Sequence, residues 1–405
     1  MINVIGGVYR EVCVTPSYNQ VFGSGGRAAL AILNMKSAIT LHSYIPESFI
    51  KHLQLHLDFI EEEYSLNSYH TDEEITFRYN HGLDPFNPPI VSKKAPLTID
   101  CDNLLLFGMM ECDFIVKGNY IVYDPQNTFN TQSFSQNGSK AKHLALVLNE
   151  NEARKLNKSS FSEDIYAIIK ELHKKEMAEI IIVKLGPDGS IVSYDNKLYN
   201  IPAFKTTTVW KIGSGDCFSA YFSYYWIEKK LSPEKAAYSA SKATAYYCET
   251  NCFPNIINLE KYEPEEIIHN GKKIKKIYIA APFFTMPQLW LVEQIRYNLS
   301  EMGLDVFSPY HDVGTIKNLD NEIMRNVCAD DLLAIDNCDS VYAVLDGYDP
   351  GTIFEVGYAT AKGKNITLLC ENIEKTNLTM FMSPNIEIEN DYVTSIYKTI
   401  WRSEE

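Results

Sequence analysis

The sequence lacks the cysteine patterns of a zinc site or a disulfide framework. It has nine cysteines, an odd number, and none of them forms a Cys-x-x-Cys pair. Cys248 and Cys252 lie four residues apart, but no histidine cluster accompanies them. We therefore expect free thiols in a reducing compartment, most of them packed in the core, which predicts a cytoplasmic protein.

Long apolar runs are also missing. No stretch approaches the ~20 residues that a membrane-spanning helix needs. The first residues, MINVIGGVYREV, are typical of a strand followed by charge, and they lack the basic lead and apolar core of a secretion signal. The sequence therefore predicts no membrane partner.

Positive charge is scarce, since 37 Lys and Arg residues face 52 Asp and Glu residues and the formal net charge is −15. This balance argues against binding to a nucleic acid polymer, although a local basic pocket for a small phosphorylated ligand stays allowed. A chain of 405 residues is long enough for two domains or more, each with its own core. We find no internal repeat.

The most informative stretch runs from Val344 to Lys364, VLDGYDPGTIFEVGYATAKGK. A buried apolar run ends in a loop with Asp346 and Asp349, and a helix bearing Glu355 follows. This pattern places carboxylates at the carboxyl edge of a parallel strand, where open α/β sheets bind ligands. Acids in a first helical turn can equally be partners of the helix dipole, and spacing alone leaves both interpretations open.

Further segments narrow the choice. The words IYIAAPFF, VFSPYHD, DDLLAID and DPGTIFEVGYA stand in this order between residues 277 and 359. Together they resemble the nucleoside 2-deoxyribosyltransferase family over roughly residues 273 to 385.

The resemblance implies a role for each matching residue. Glu355 would be the nucleophile that attacks the anomeric carbon, and Tyr278 would orient it. Asp349 and Asp331 would hold the base and move protons at its ring nitrogen. Asn377 would be the asparagine that a neighbouring subunit supplies, which implies a homo-oligomer. The remaining substrate-binding residues would be Gly351, Thr352, Ser308 and Phe283, and no cofactor is expected here.

Elementary chemistry explains why a site of this kind uses several acids. Breaking an N-glycosidic bond builds positive charge on the sugar, which a carboxylate stabilises or captures, while the leaving base needs a proton. Neighbouring carboxylates push their pKa values apart, so one can stay charged while another donates. Three further residues have open roles. His311 and Asp312 form either a catalytic pair or a polar loop, and Asp346 is either a fourth acid or the end of the strand.

From about residue 104 to 250 the sequence alternates regularly between apolar strands and helical segments, and the strands end in polar residues. This alternation predicts a parallel α/β sheet with its site at one edge. Gly213-Ser214-Gly215-Asp216 precedes a long helix, so several backbone N–H groups and the helix dipole would meet at one point and form an anion hole. Asp216 beside it could take a proton from an attacking hydroxyl, which suits phosphoryl transfer.

Residues 1 to about 257 resemble the ribokinase-like (PfkB) sugar and nucleoside kinases. The matching words are DPQN at Asp124, NENEA at Asn149, KLGPDGSIV at Lys184 and GSGDCFSA at Gly213. The resemblance implies ATP and Mg²⁺ as cofactors, with Asp216 as catalytic base. The other implied residues are Gly213, Ser214 and Gly215 for the anion hole, Gly186 and Gly189 for ATP, and Asn149 and Glu152 for indirect placement of magnesium.

Three departures from that family leave a non-catalytic role open. Trp210-Lys211 replaces the usual Asp-Thr before the glycine turn, and Ala28 stands where an asparagine is expected in the first glycine loop. The region from about 70 to 100 is hard to match to the sugar-covering lid. The substrate would be a nucleoside or sugar, bound with or without phosphorylation.

We therefore predict two α/β domains, a ribokinase-like three-layer domain at 1–257 and a smaller flavodoxin-like or Rossmann-like domain at 275–405, joined by a linker at 258–274. The predicted protein is a bifunctional enzyme of nucleoside or nucleotide metabolism. In the alternative, the first domain senses a ligand and regulates a glycosidase. A nucleotide-depleting defence effector is a third interpretation, which rests on the domain pairing alone.

Overall fold

The computed structural model describes residues 1–85, 87–126, 131–160, 163–267, 275–314 and 320–403, apart from the side chains of 375 and 376. The chain divides into two compact units, one of residues 1–206 and 210–267 and one of residues 207–209 and 268–405. Of the linker predicted at 258–274, residues 268–274 lie outside the described residues. Its first part contains the end of helix Ile256–Lys261 and the strand Glu266–Ile267, which belong to the first unit.

A large, mostly parallel sheet forms the centre of the first unit. Its described strands are β1 (Ile2–Ile5), β4 (Ile39–Tyr44), β5 (Tyr64–Tyr69), β7 (Leu97–Asp100), β8 (Asn103–Phe107), β9 (Phe114–Asp124), β10 (Lys140–Asn149), β11 (Ile180–Lys184), β12 (Ser190–Tyr194) and β13 (Lys197–Ile201). The strand order is β13-β12-β11-β10-β9-β8-β1-β4-β5, and β7 pairs with β9. The β11–β12 and β12–β13 pairs are antiparallel and the others are parallel.

Helices cover both faces of this sheet because its strands are apolar on both sides. Leu105 on β8 packs into one buried cluster and its neighbours Leu104 and Leu106 into another, as alternation along a strand requires. The first cluster includes residues of α1 (Gly23–Asn34), α2 (Glu47–Asp58), α5 (Ser214–Ser223) and α6 (Pro233–Thr250), and the second includes residues of α3 (Glu150–Asn157) and α4 (Ile165–Glu176). The predicted three-layer α/β/α class is confirmed.

Two smaller sheets complete the described part of the first unit. The strands β2 (Arg10–Cys13), β3 (Tyr18–Val21) and β6 (Thr76–Tyr79) form a three-stranded sheet in the order β3-β2-β6, which we call the small sheet. It includes part of the region from 70 to 100 that the sequence leaves without an assignment. The other sheet is an antiparallel pair of β14 (Ala203–Phe204) and β15 (Glu266–Ile267), and β15 follows α7 (Ile256–Lys261) in the chain.

The second unit is a smaller parallel α/β layer structure. Its described strands are β16 (Lys276–Ala280), β17 (Asp305–Phe307), β18 (Ser340–Val344), β19 (Asn365–Leu369) and β20 (Ile386–Glu389), all paired in parallel in the order β17-β16-β18-β19-β20. Numbered within this unit, the order is 2-1-3-4-5, which is the flavodoxin-like order with its ligand site at the switch between the first and third strands. The predicted smaller parallel α/β domain is confirmed.

Helices of the second unit connect these strands as the sequence pattern predicts. They are α8 (Met286–Glu301), α9 (Pro309–Asp312), α10 (Asn321–Asn337), α11 (Pro350–Ala361) and α12 (Tyr392–Ser403). Helix α11 begins where it does because Asp349 caps it and Pro350 occupies its first position, where a missing N–H is harmless. None of the helices in the described ranges is long and apolar enough to cross a membrane.

Candidate active sites of the two units

The carboxyl edge of the second sheet brings together the four residues to which the sequence assigns chemistry, Tyr278, Asp331, Asp349 and Glu355. Tyr278 on β16 is fully buried, and its hydroxyl donates a hydrogen bond to Oε1 of Glu355 on α11 over 2.8 Å. The tyrosine ring stacks on Phe307 with 5.6 Å between centroids, which fixes its direction. Strand β16 lies beside β18, the strand that leads to α11, so the pairing of the sheet sets this contact.

Burial and neighbouring acids perturb the ionisation of this cluster. Burial raises the pKa of Glu355 to about 8; the hydrogen bond from Tyr278 opposes that rise, while Asp331 and Asp349 add to it. Burial also raises the pKa of Asp331 to about 6, with Asp330 contributing. The pKa of Tyr278 is raised well above its ordinary value by burial and by the negative charges of Glu355 and Asp331. The three groups therefore act on each other electrostatically.

Asp331 has the features of a proton donor. Its Oδ1 atom is buried and has no hydrogen-bond partner within the described residues. A buried carboxyl oxygen without a partner is costly when charged, and protonation or a ligand relieves that cost. Perturbed carboxyls of this kind concentrate at functional sites.

Asp349 has a different local role. Its Oδ2 accepts hydrogen bonds from the backbone N–H of Thr352 over 2.8 Å and from the Thr352 hydroxyl over 3.1 Å. It is thus the N-cap of α11 as well as a negative neighbour of Glu355. A Cβ atom added at Gly351 would lie 3.0 Å from Asp349 Oδ2, so glycine leaves room for this cap. The helix-dipole interpretation holds for Asp349.

The other predicted substrate residues of this unit are distributed around the edge. Ser308 is buried and contacts His311, with 3.1 Å between Oγ and Nδ1, and its N–H donates to Asp312 over 2.8 Å. His311 also contacts Glu293 of α8 over 2.9 Å. This favours the polar-loop interpretation of His311 and Asp312.

Phe283 and Asn377 lie at exposed or half-buried positions. The Phe283 ring lies 5.5 Å from the ring of Tyr310, next to the β17 edge. Asn377 is exposed in the 3₁₀ helix Lys375–Phe381.

Asp346 accepts hydrogen bonds from the backbone N–H groups of Glu371 and Asn372, each over 2.8 Å, so it fixes the loop after β19. That contact favours the strand-end interpretation of Asp346.

The first unit builds a second polar site where its strands end. Gly213 has a left-handed φ of 77° and precedes α5, whose first residue Ser214 accepts a hydrogen bond from Lys211 Nζ over 2.9 Å. Burial lowers the pKa of Lys211, and the nearby charge of Lys184 lowers it further. Two lysines therefore flank the predicted anion hole, and Lys211 is one of the residues that depart from the kinase pattern.

Asp216 lies in this site but is bound on both sides. Its Oδ2 accepts a hydrogen bond from Arg27 Nη1 over 2.8 Å, and its Oδ1 accepts one from Gln126 Nε2. Burial raises the pKa of Asp216, while the positive charge of Arg27 opposes that rise. Arg27 and Gln126 were not predicted as neighbours of Asp216, because they lie 189 and 90 residues from it in the sequence.

The predicted magnesium residues cap a helix. The Asn149 side chain accepts the N–H of Glu152, and the Glu152 carboxylate accepts the N–H of Asn149, each over 2.8 Å. An Asn-x-x-Glu spacing at a strand end is the signature of this capping box. No group of three metal-binding side chains occurs within the described residues.

Asp124 is a further polar residue that the sequence analysis did not single out. It is fully buried at the end of β9, and its Oδ2 accepts hydrogen bonds from Lys184 and Ser219, each over 2.7 Å. Its Oδ1 is buried and has no partner in the described part of the chain. Hard carboxylate oxygens such as this one suit Mg²⁺ or its water ligands.

The two glycines predicted to contact ATP lie in the turn after β11. Gly186 and Gly189 have φ angles of 61° and 85°. A Cβ at Gly189 would lie 2.1 Å from the carbonyl oxygen of Ile201, so the turn requires glycine for its own geometry. Around Gly186, in contrast, a Cβ would meet no atom within 4 Å.

Comparison with known families assigns each unit a relative. Residues 277–391 match the family model of nucleoside 2-deoxyribosyltransferase, and residues 118–251 match that of the pfkB family carbohydrate kinases. Both predicted resemblances are confirmed. The chain thus combines a kinase-like segment with a deoxyribosyltransferase-like segment, and both families are enzymes. Comparison with curated proteins gave no match.

Solved structures similar to the chain include three ribokinases. They come from Cryptococcus neoformans in complex with ADP (17% identity, TM-score 0.48), Giardia lamblia (13%, 0.48) and Thermotoga maritima (15%, 0.47). The matches cover 64%, 64% and 65% of this chain and 98% of each ribokinase.

The raised pKa of Glu355 has a consequence for stability that does not require a substrate. The folded protein keeps this proton up to a pH of about 8, whereas an unfolded chain releases it near the ordinary pKa of 4.5. The resulting loss of stability is absent below 4.5, grows as the pH rises and is complete above about 8. We expect Glu355→Gln to raise the Tm by a few degrees at about pH 9, with a difference that shrinks towards pH 4.5.

Thermal unfolding across this pH range measures the effect. The Gln side chain retains an oxygen that can accept from Tyr278. Glu301→Gln, at an exposed position of α8, is the matched control and should leave the profile unchanged. A Glu355→Gln profile parallel to that of the wild type would show that Glu355 titrates normally.

Proposed function

We propose that the second unit cleaves the N-glycosidic bond of a deoxyribonucleoside, ribonucleoside or nucleotide and passes the sugar to another base or to water. The observation that supports this best is the 2.8 Å contact between Tyr278 and Glu355, inside a group of mutually perturbed acids. The deoxyribosyltransferase match over the same residues agrees with it.

The chemistry assigns each acid a step. The Glu355 carboxylate attacks the anomeric carbon, a C–O ester bond forms as the C–N bond breaks, and the base leaves with the bonding electron pair. Asp331, whose pKa is about 6, donates the proton that the base nitrogen takes up. An acceptor base or a water molecule then attacks the same carbon and releases Glu355, and the proton of this nucleophile returns to Asp331.

Tyr278 and Asp349 support the nucleophile. The hydrogen bond from Tyr278 stabilises the ionised form of Glu355, which burial disfavours. The positive charge that develops on the sugar favours the same ionised form, so substrate binding and ionisation assist each other. Asp349 caps α11 and thereby fixes where the helix begins, which places Glu355 about one and two-thirds turns further along it.

Removing the nucleophile should remove base release. We expect Glu355→Ala to lower base release by about 10³-fold or more, because Glu355 alone offers the carboxylate that forms the ester. Chromatography and mass spectrometry would follow deoxynucleosides, ribonucleosides and their monophosphates, with and without an acceptor base. A swapped nucleoside marks transfer, and a free sugar marks hydrolysis.

A variant at Asp336 is the matched control. Asp336 lies on α10 near Asp331, but its carboxylate contacts Lys362 and Tyr358 on the exposed surface. Asp336→Ala should retain base release. Equal loss in both variants, or release that persists in Glu355→Ala, would contradict the assignment of the nucleophile.

For the first unit, we propose phosphorylation of a nucleoside or sugar with ATP and magnesium. Asp216 would accept the proton of the attacking hydroxyl, and the N–H groups at the start of α5 with Lys211 would receive the phosphate charge. Magnesium would neutralise the ATP phosphates, with Asp124, Glu152 and Asn149 near its water ligands. One unit could then release a product that the other phosphorylates.

A second candidate for the first unit is a ligand-sensing module that regulates the glycosidase. The ion pair between Arg27 and Asp216 favours it, since the guanidinium occupies an oxygen that would accept the proton and opposes the rise in pKa that burial causes. The departures at Trp210, Lys211 and Ala28 point the same way. The intact glycine turn before Asp216 favours the kinase instead.

ATP turnover separates these candidates. If the first unit is a kinase, Asp216→Asn should lower ATP-dependent phosphorylation about 10³-fold, because asparagine cannot accept the hydroxyl proton. Measurement of ADP formation and of phosphorylated products across sugars and nucleosides provides the readout. Asp195→Asn, in the exposed turn between β12 and β13, is the control. A sensing module shows ATP binding without any turnover that depends on Asp216.

We also propose that the enzyme is a cytoplasmic homo-oligomer whose second unit shares residues between subunits. Its surface carries exposed apolar side chains, including Phe284, Phe354 and Met380. Asn377 lies three residues before Met380 in the same 3₁₀ helix, and it would enter the site of a neighbouring subunit.

Mixed oligomers test this sharing. Asn377→Ala and Glu355→Ala should each be inactive alone, because each removes one part of every site. Mixed after subunit exchange, they should regain up to about a quarter of the wild-type base release in a dimer, since one site then holds both wild-type residues. Full activity of Asn377→Ala alone would remove this residue from the shared site.

A further inference from the structure

A buried triad of charged residues closes the site of the first unit. Arg27 on α1 is completely buried, and its guanidinium donates to both carboxylate oxygens of Glu11, over 3.1 and 2.5 Å, and to Asp216 over 2.8 Å. It also donates to the Gly23 carbonyl and to the Tyr247 hydroxyl. Glu11 and Asp216 are themselves only 6% and 8% exposed. The three charged groups thus satisfy one another away from solvent.

The position of Arg27 conflicts with the approach of an acceptor hydroxyl. A Cβ atom added at Gly213 would lie 2.0 Å from Arg27 Nε, so the arginine side chain packs directly on the glycine turn of the predicted anion hole. Asp216 has Arg27 on one oxygen and Gln126 on the other. A hydroxyl that gives its proton to Asp216 needs access to one of these oxygens.

Glu11 connects this triad to a separate structural element. It lies on β2, the central strand of the small sheet, between β3 and β6. The ion pair with Arg27 therefore joins the small sheet to α1, while the ion pair with Asp216 joins α1 to α5. A second contact from the small sheet, the Arg10 guanidinium over the Phe49 ring at 5.1 Å, is made with α2.

We propose that Arg27 is a latch that holds the small sheet over Asp216 and keeps acceptor hydroxyls from this base until the triad opens. In the latched state Lys184 donates a hydrogen bond to Asp124 and Lys211 donates one to Ser214. The latch explains why the intact glycine turn at Gly213 stands beside an Asp216 whose two oxygens are already hydrogen-bonded. Opening requires Arg27 to leave Asp216, together with movement of Glu11 and β2.

The experiment compares amide hydrogen exchange in the full chain and in two variants. Arg27→Met removes the latch and leaves the carboxylates of Glu11 and Asp216 without their shared cation. The double variant Glu11→Gln with Arg27→Met removes one charge of each sign and carries the test if the single variant does not fold. Lys36→Met, which breaks an exposed ion pair with Glu62, is the control.

We expect exchange in β2, β3 and β6 to become about tenfold faster or more in the latch variants, while β1 and β8 exchange as in the wild type. A latch that is merely part of the core would instead accelerate exchange in β1 and β8 as well, and this overturns the proposal. Unchanged exchange in the small sheet of a folded variant overturns it too.

Phosphorylation provides a second readout, which rests on the proposed kinase function. With ATP, magnesium and the sugar and nucleoside panel, latch variants should phosphorylate at least about tenfold faster than the wild type, and adding Asp216→Asn should abolish the gain. Faster exchange without phosphorylation supports the latch and contradicts the kinase. Phosphorylation by the wild type as fast as by the latch variants overturns the latch and leaves the kinase.

Discussion

Buried carboxylates at the carboxyl edge of a parallel sheet are the feature on which both sites depend. A charged carboxyl group removed from water is costly unless a cation or hydrogen-bond donors compensate it. The two units meet this requirement in opposite ways. In the first unit the acids pair with cations, Asp216 and Glu11 with Arg27 and Asp124 with Lys184. In the second, Glu355 has one neutral donor, and its pKa rises to about 8.

This difference separates what each site can do without a ligand. A carboxylate whose oxygens are already occupied by a guanidinium and an amide needs a rearrangement before it accepts a proton. A carboxyl group held by a tyrosine and surrounded by other acids is destabilised when charged, and a developing positive charge on a sugar relieves that cost directly. The proposed glycosidic reaction therefore needs Glu355 to lose a proton, whereas the proposed phosphorylation needs Asp216 to be released by Arg27.

The sequence predicted those parts of the fold and sites that depend on local patterns. The strand, the acidic loop and the helix of 341–361 follow from apolar runs and from a proline at the start of the helix. The Tyr278–Glu355 contact follows from the family resemblance, because each residue lies in one of the matching segments, IYIAAPFF and DPGTIFEVGYA. Spacing left open whether the acids at the start of this helix serve a ligand or the helix dipole, and the hydrogen bonds by which Asp349 caps the helix were not predicted. The polar-loop interpretation of His311 agrees with its contacts to Ser308 and Glu293.

The parts that the sequence could not predict depend on contacts across long separations. Arg27 meets Asp216 from 189 residues away and Glu11 from 16 residues away on a strand of another sheet. Nothing in GSGGRAAL shows that its arginine turns inward, since arginine is rarely buried without a partner and the partner is distant. The capping box of Asn149 and Glu152, in contrast, depends on two residues three apart, so its hydrogen bonds are predictable from the local sequence.

Two of the buried carboxyl oxygens that have no partner within the described residues lie at the two proposed sites. One belongs to Asp331 in the second unit, beside the proposed nucleophile, and one to Asp124 in the first, beside Lys184 and α5. An unsatisfied acceptor needs a proton, a donor or a cation. A proton on Asp331 suits a leaving base, and a hydrated cation at Asp124 suits a phosphate. Each of these two oxygens therefore lies where the chemistry proposed for its unit would supply the missing partner.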